Sequence, residues 1–284
     1  MSETTKQPTS RLAALFERLE GEGRAALIPY ITAGDPSAEA TVALMHAMVE
    51  GGADAIEIGV PFSDPMADGP VIQAAHERAL KSGLGLRGVI DLVAEFRRRD
   101  GETPVVLMGY QNPIEAIGVD TFVDKAATAG VDGVLTVDLP PEEADELAAA
   151  MGARGMDPIF LLAPTTSAGR TREVASKGSG FVYYVSLKGV TGAANLDTAA
   201  LASQVEAIRE TCALPVGVGF GIRDAATAGQ VGRVADAVIV GSAIVRLIHE
   251  QVTAAGGMND EVLGTVRGFL AELRAAVESA RSST

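Results

Sequence analysis

Cysteine, histidine and basic side chains are scarce in this sequence, and each scarcity excludes a class of chemistry. One cysteine in 284 residues, Cys212, leaves no internal disulfide to form and fits a reducing compartment. Lying just before Pro215 and an apolar run, it reads as a small packed residue rather than a nucleophile. His46, His76 and His249 fall on separate helical segments without paired spacing, which supports neither a metal centre nor a histidine-based nucleophilic system. Lys and Arg total 23 against 37 Asp and Glu, and a formal net charge of −14 repels nucleic-acid backbones and anionic lipid surfaces. No apolar run approaches the ~20 residues that span a bilayer. The opening MSETTKQPTS has neither the basic nor the apolar region of a signal peptide, so a cytoplasmic protein is expected. A dinucleotide-binding turn is missing too, since the first apolar strand is followed by AGDPS.

What is present is apolar sequence in a regular rhythm. Hydrophobic residues make up 47% against 21% charged, enough to offset the chain entropy lost on folding. Eight short β-rich runs recur: AALIPYIT (25–32), DAIEIGV (54–60), PVVLMGY (104–110), GVLTVDL (133–139), PIFLLAP (158–164), FVYYVSL (181–187), PVGVGFG (215–221) and DAVIVGS (236–242). Helical segments separate them. Residues 37–52 place Val42, Met45 and Val49 at helical spacing, and residues 141–155 crowd acids into a first turn, where the helix dipole favours them. GGADAIEIG, AGVDGVLTV and GRVADAVIV form a weak repeat that passes from Gly through Asp into a strand. Strands apolar on both faces and joined by helices pair in parallel, and eight such units close on themselves. The expected fold is therefore α/β, a single (β/α)8 TIM barrel over residues 10–280. It carries an extra N-terminal helix (10–23, ended by Gly21 and Gly23) and a long C-terminal helix (260–280) as additions, and residues 1–9 and 281–284 are expected to be disordered tails.

The stretch GADAIEIGVPFSDPMADGP holds the anomaly. Ile56, Ile58 and Val60 alternate as the helix-facing set, so Ala55, Glu57 and Gly59 point into the barrel. A carboxyl in an apolar wall has a raised pKa and can exchange protons near neutrality, and none of the eight strands carries an obvious inward basic partner for it. Glu57 is thus a candidate general acid and base. Asp68 follows in a proline-stiffened loop that returns over the same C-terminal rim, where barrel enzymes gather their chemistry. Parity sends one of Tyr183 and Tyr184 inward without saying which. The stretches LKGVTGAAN (187–195), GFGIRD (219–224) and GSAIV (241–245) are glycine-bearing loops after strands six to eight, where barrels commonly hold a phosphate on backbone N–H groups.

With these residues assembled, the sequence resembles the tryptophan synthase α-subunit family. The resemblance rests on PYITAGDP (29–36), AIEIGVPFSDPMADGPVIQ (55–73), MGYQNPI (108–114), GVDGVLTVDLPPEE (130–143), YYVSLKGVTGA (183–193), GFGI (219–222) and GSAIV (241–245). It implies a lyase that splits indole-3-glycerol phosphate into indole and glyceraldehyde 3-phosphate by a retro-aldol route. Glu57 would protonate indole C3 and take the glycerol hydroxyl proton, while Asp68 would hold the indole N–H. Tyr183 matches the family's active-site tyrosine, and Gly192, Phe220, Gly221, Gly241 and Ser242 match its substrate- and phosphate-binding positions. Thr191 matches a mobile-loop threonine that closes toward Asp68. No cofactor is implied in this chain; pyridoxal phosphate would belong to a β subunit. Two α and two β subunits are expected to assemble, with Pro61, Asp64 and the Asn112-Pro113 loop near the β subunit. Tyr30 stands where many members have Phe, and Leu187-Lys188 where some have Arg; neither is expected to touch the chemistry.

Two rivals are separable. Another phosphate-binding barrel of the same pathway would want a basic catalytic residue inside, which the strands lack. A chiefly allosteric binding subunit would release no indole by itself.

Overall fold

The computed structural model describes residues 10–185, 197–219 and 221–281. Expectations on Leu187, Lys188, Thr191, Gly192, Phe220 and the tails at 1–9 and 282–284 lie outside the described residues.

All eight expected strands form: β1 (Ala26–Thr32), β2 (Ile56–Gly59), β3 (Val105–Gly109), β4 (Gly133–Thr136), β5 (Asp157–Leu162), β6 (Val182–Val185), β7 (Val216–Gly219) and β8 (Ala237–Val240). Each pairs in parallel with its sequence neighbours, and β8 returns to β1 with Ala26 opposite Ala237, closing the barrel. Twelve α-helices occur among the described residues: α1 (Arg11–Glu22), α2 (Ala38–Glu50), α3 (Pro70–Leu80), α4 (Leu86–Arg97), α5 (Gln111–Ile117), α6 (Val119–Ala129), α7 (Asp145–Ala153), α8 (Ala168–Lys177), α9 (Thr198–Arg209), α10 (Ala225–Gly232), α11 (Ser242–Ala255) and α12 (Asp260–Arg281). None is long and apolar enough to cross a membrane.

Both expected end helices form, and the structure shows where each one packs. The stripe Leu12, Leu15, Phe16 and Leu19 on α1 is buried and packs into the barrel's N-terminal end against Ala26, Ala55, Val106, Phe181 and Ile239, so the extra helix is a plug. Ser10 caps it by accepting the Ala13 N–H, and Gly23 rather than Gly21 ends it, at φ 67°. The closing helix α12 is no appendage. Val262, Val266, Leu270, Leu273 and Val277 are buried, and it packs against both α10 and α2, taking the eighth place in the outer ring. The inserted helix is instead α11, which lies over the rim against β1 and α3. Residues 141–155 divide into a 3-10 turn (Pro141–Glu143) and α7, with Ala144 at the junction between them. On α2, Met45 is buried with Leu44 and Met48, whereas Val42 and Val49 lie at the margin of the core.

The weak repeat has a physical meaning. Asp54, Asp132 and Asp236 each stand before an even-numbered strand and accept the N–H of a residue in the strand before it: Leu27, Val105 and Val216 at 2.8, 2.7 and 2.9 Å. Each also holds arginine: Arg24 and Arg274 on Asp54, Arg11 and Arg97 on Asp132, Arg209 on Asp236. These carboxylates tie adjacent strands at the N-terminal end, the end of a barrel that serves stability, and leave the opposite rim free for chemistry.

Candidate active site

Strand parity places Glu57. Ile56, Ile58 and Val60 join the outer cluster with helix residues, Ala55 joins the interior cluster, and Glu57 turns inward at 2% exposure. Both its carboxyl oxygens are buried without a hydrogen-bond partner among the described residues. Burial, and secondarily the charge of Asp68, raises its pKa from an ordinary 4.5 to about 8. The carboxyl is therefore protonated through neutrality yet close enough to it to give the proton up.

Asp68 is no solvated turn former; its side chain is only 4% exposed. The Tyr110 hydroxyl donates to Asp68 Oδ2 at 2.7 Å and accepts the Ala67 N–H at 3.2 Å. The Gln73 side-chain amide on α3 donates to the Asp68 carbonyl at 2.8 Å, and the Phe62 ring stacks on Tyr110 at 5.0 Å between centroids. His76, also on α3, accepts the Phe62 N–H on Nδ1 at 3.0 Å and points Nε2 at Asp68 Oδ2, 3.5 Å away. Three side chains from β3's end and α3 thus lock the loop that the sequence showed only as proline-rich. Tyr110 and His76 were not among the expected site residues. The signal for Tyr110 was there, since Val106, Met108 and Tyr110 share the inward parity. Nothing in the sequence marked His76 beyond its place two turns along the helix that follows the loop.

The tyrosine ambiguity is resolved by packing. Tyr184 joins the outer cluster and Tyr183 the interior one. Two glycines make room for the inward tyrosines: a Cβ on Gly219 would overlap the Tyr183 hydroxyl, and one on Gly59 would overlap the Tyr30 hydroxyl. Tyr30 corrects an expectation. It lies opposite Glu57 in the β1–β2 register, is buried, and donates to or accepts from Thr32 Oγ1 at 3.1 Å. Its pKa is pushed up by burial first and then by the charges of Asp68 and Glu57, so it belongs to the site. Gly59→Ala is expected to destabilise the chain by about 1–3 kcal/mol and to lower turnover, because Tyr30 must leave its place beside Glu57. Thermal melting and steady-state kinetics check this; an unchanged melting temperature would mean that the ring moves without cost.

After β7 and β8 the two glycine-bearing stretches among the described residues differ. Gly221 is exposed at φ 77°. Asp224 caps α10 with its own carboxylate, accepting the Thr227 N–H at 2.8 Å, so that helix N-terminus is already satisfied from within. Gly241, in contrast, precedes α11 with no side-chain cap, and exposed Ser242 opens the helix. The anion-seeking end is that of α11. Gly241 is also next to Tyr30, to whose Cβ a Cβ on Gly241 would come within 3.7 Å. The α11 end and the Glu57 pocket are therefore neighbours.

Of the expected partner-facing residues, Asp64 and Asn112 are exposed, while Pro61 is buried and shapes the loop from within. Asn112 and Pro113 form no loop but the first turn of α5. Met66 was not foreseen; its side chain stands 89% exposed beside Asp64.

A closed parallel barrel with a buried, protonatable carboxyl, a second carboxylate fixed over the same mouth and an uncapped helix end beside them is a (β/α)8 enzyme built for acid–base chemistry on an anionic substrate. The family model described as "Tryptophan synthase alpha chain" matches residues 16–273. A tryptophan synthase alpha chain of Dechloromonas aromatica is 58% identical over 272 residues, covering 96% of this chain and 99% of that one. One from Burkholderia mallei is 58% identical over 95% of this chain and 98% of its own. Among solved structures, the tryptophan synthase subunit alpha of Legionella pneumophila superposes with a TM-score of 0.89 at 43% identity, over 95% of this chain and 99% of that one. A chain from the tryptophan synthase of M. tuberculosis gives 0.83 at 38% identity, over 95% and 99%. The chain belongs to the tryptophan synthase alpha chain family.

Proposed function

We propose that the chain cleaves indole-3-glycerol phosphate to indole and glyceraldehyde 3-phosphate, the α reaction of tryptophan biosynthesis, with Glu57 and Asp68 as the catalytic pair. The observation that carries the assignment of roles is the state of Glu57: a buried carboxyl without a hydrogen-bond partner among the described residues, held protonated to about pH 8 and facing the same mouth as Asp68. Protonated Glu57 gives its proton to indole C3, which makes the ring a cation. The Asp68 carboxylate accepts from the indole N–H and stabilises that charge. Glu57, now a carboxylate, takes the proton of the glycerol hydroxyl next to the ring; the carbon–carbon bond breaks, its electrons return to the indole and the hydroxyl carbon becomes the aldehyde. Two carboxyls with different surroundings thus divide proton transfer from charge stabilisation.

Gly241 and Ser242 are assigned to the phosphate, supported by the uncapped start of α11, and Gly221 is assigned with them by family resemblance. Thr191, Gly192 and Phe220 are assigned by family resemblance alone. Tyr183 lines the pocket from β6. No cofactor takes part in these steps. The chain acts with a β subunit in an assembly of two α and two β subunits, and exposed Asp64, Met66 and Asn112 are proposed to face that partner, with Pro61 and Pro113 setting the shape of their segments. A cytoplasmic location fits the single buried cysteine.

The test is indole release from indole-3-glycerol phosphate by the chain, alone and with a β subunit. Indole is expected in both arms, with more in the second. Stimulation of the β subunit without indole in either arm would leave a binding subunit only, and turnover of a different phosphorylated substrate would point to another barrel enzyme.

A further inference from the structure

His76 is a buried histidine that the acid–base scheme does not use. It is 2% exposed, on the face of α3 turned toward the loop after β2, and both its ring nitrogens are engaged. Nδ1 accepts the Phe62 N–H at 3.0 Å. A neutral imidazole carries one proton, and a nitrogen that accepts cannot hold it, so the proton sits on Nε2. Nε2 is the atom aimed at Asp68 Oδ2 from 3.5 Å. The Phe62 backbone thereby chooses the tautomer, and the tautomer chooses what Asp68 meets: a donor rather than a second acceptor that would repel it.

The same oxygen, Asp68 Oδ2, already accepts from Tyr110 at 2.7 Å. Two donors, one from the end of β3 and one from α3, therefore converge on one oxygen and hold the carboxylate plane. Among the described residues Oδ1 accepts no hydrogen bond, and it is left for the substrate N–H. At 3.5 Å the histidine contact is longer than a full hydrogen bond, as catalytic contacts often are before substrate draws them in.

We propose that His76 is a positioning residue for Asp68: anchored by the Phe62 N–H, it presents Nε2–H to Oδ2 and turns Oδ1 toward the indole nitrogen. This rests on the role given to Asp68 above.

Glutamine and asparagine separate the two ring nitrogens. Gln reaches the place of Nε2 and offers an N–H there; Asn reaches the place of Nδ1 and can only anchor Phe62. In indole-release kinetics with the β subunit present, His76→Leu and His76→Asn are expected to lower kcat about 10- to 100-fold, the range of a hydrogen bond to a charged group, with KM changed less than about threefold. His76→Gln should recover most of the loss. In an Asp68→Asn background, His76→Leu should cost less than about twofold more, because its effect runs through the carboxylate. Full activity of His76→Asn, or rescue by Asn and not by Gln, would show that the ring only anchors the loop and would overturn the proposal. Equal losses from His76→Leu with and without Asp68→Asn would do the same. If His76→Leu does not fold, judged by circular dichroism, the Gln and Asn variants decide alone. Full activity of Asp68→Asn by itself would instead sink the reading of Asp68 on which the proposal stands.

Discussion

Glu57→Gln is expected to abolish nearly all indole release while leaving the barrel intact. Gln keeps the volume and the buried position but cannot deliver or accept a proton, and general acid–base catalysis is worth ~10²–10⁴-fold where one group serves one step. Glu57 serves two, so the loss should fall at or beyond the upper end. In the parent chain, kcat/KM should fall as pH rises through about 8, where the free enzyme loses the proton it must give to indole. The same replacement should stabilise the fold at alkaline pH. The folded pKa of Glu57 is raised from 4.5 to about 8, so the folded chain binds the proton more tightly than the unfolded one. That contribution is present in full below about pH 4.5 and is lost as pH climbs to about 8, after which the fold carries a buried charge with no hydrogen-bond partner among the described residues. Its size is on the order of 5 kcal/mol as an upper bound. Calorimetric melting of parent and variant should agree near pH 4 and diverge by several degrees in the variant's favour near pH 9. A variant that kept a tenth of parental turnover, or melted lower at alkaline pH, would remove Glu57 from its role.

Asp68→Asn is the second large effect. Asn can still accept from Tyr110 and His76, so the loop should keep its shape, but the negative charge that offsets the developing indole cation is gone. Removing one preorganised electrostatic partner of a transition-state charge commonly costs ~10²–10³-fold in kcat. Binding of glycerol phosphate, measured by calorimetry, should change less than about threefold, since the phosphate is assigned to the uncapped start of α11 and not to the Asp68 carboxylate. The split between kcat and phosphate binding is the informative part. Loss of both together would mean that the loop had collapsed, and kcat within about fivefold of the parent would mean that another group stabilises the charge.

Eight strands, their order of appearance and the inward turn of Glu57 were legible because they follow from period-two alternation, which is a property of the chain itself. The family motifs likewise pointed to Asp68 and Tyr183. Pairwise geometry was another matter. Tyr30 was set aside as a neutral variation, although β1 and β2 pair with Tyr30 opposite Glu57. His76 was counted among scattered histidines, because the direction of its ring depends on how α3 folds back over the loop. Loop 219–224 and the α11 start looked alike as glycine-bearing anion sites, and only the Asp224 capping contact separates them.

The sequence by itself determined the barrel class, the buried carboxyl and an excess of acid that repels nucleic-acid backbones and anionic membranes at long range. Tertiary structure alone decided that α1 plugs the N-terminal end, that α12 completes the ring while α11 covers the rim, and that Tyr110 and His76 converge on one oxygen of Asp68. The division has one physical cause. Alternation and propensity are local and survive in any window of the chain, whereas a helix's place in the ring and a hydrogen bond across about 40 residues exist only after the strands have closed.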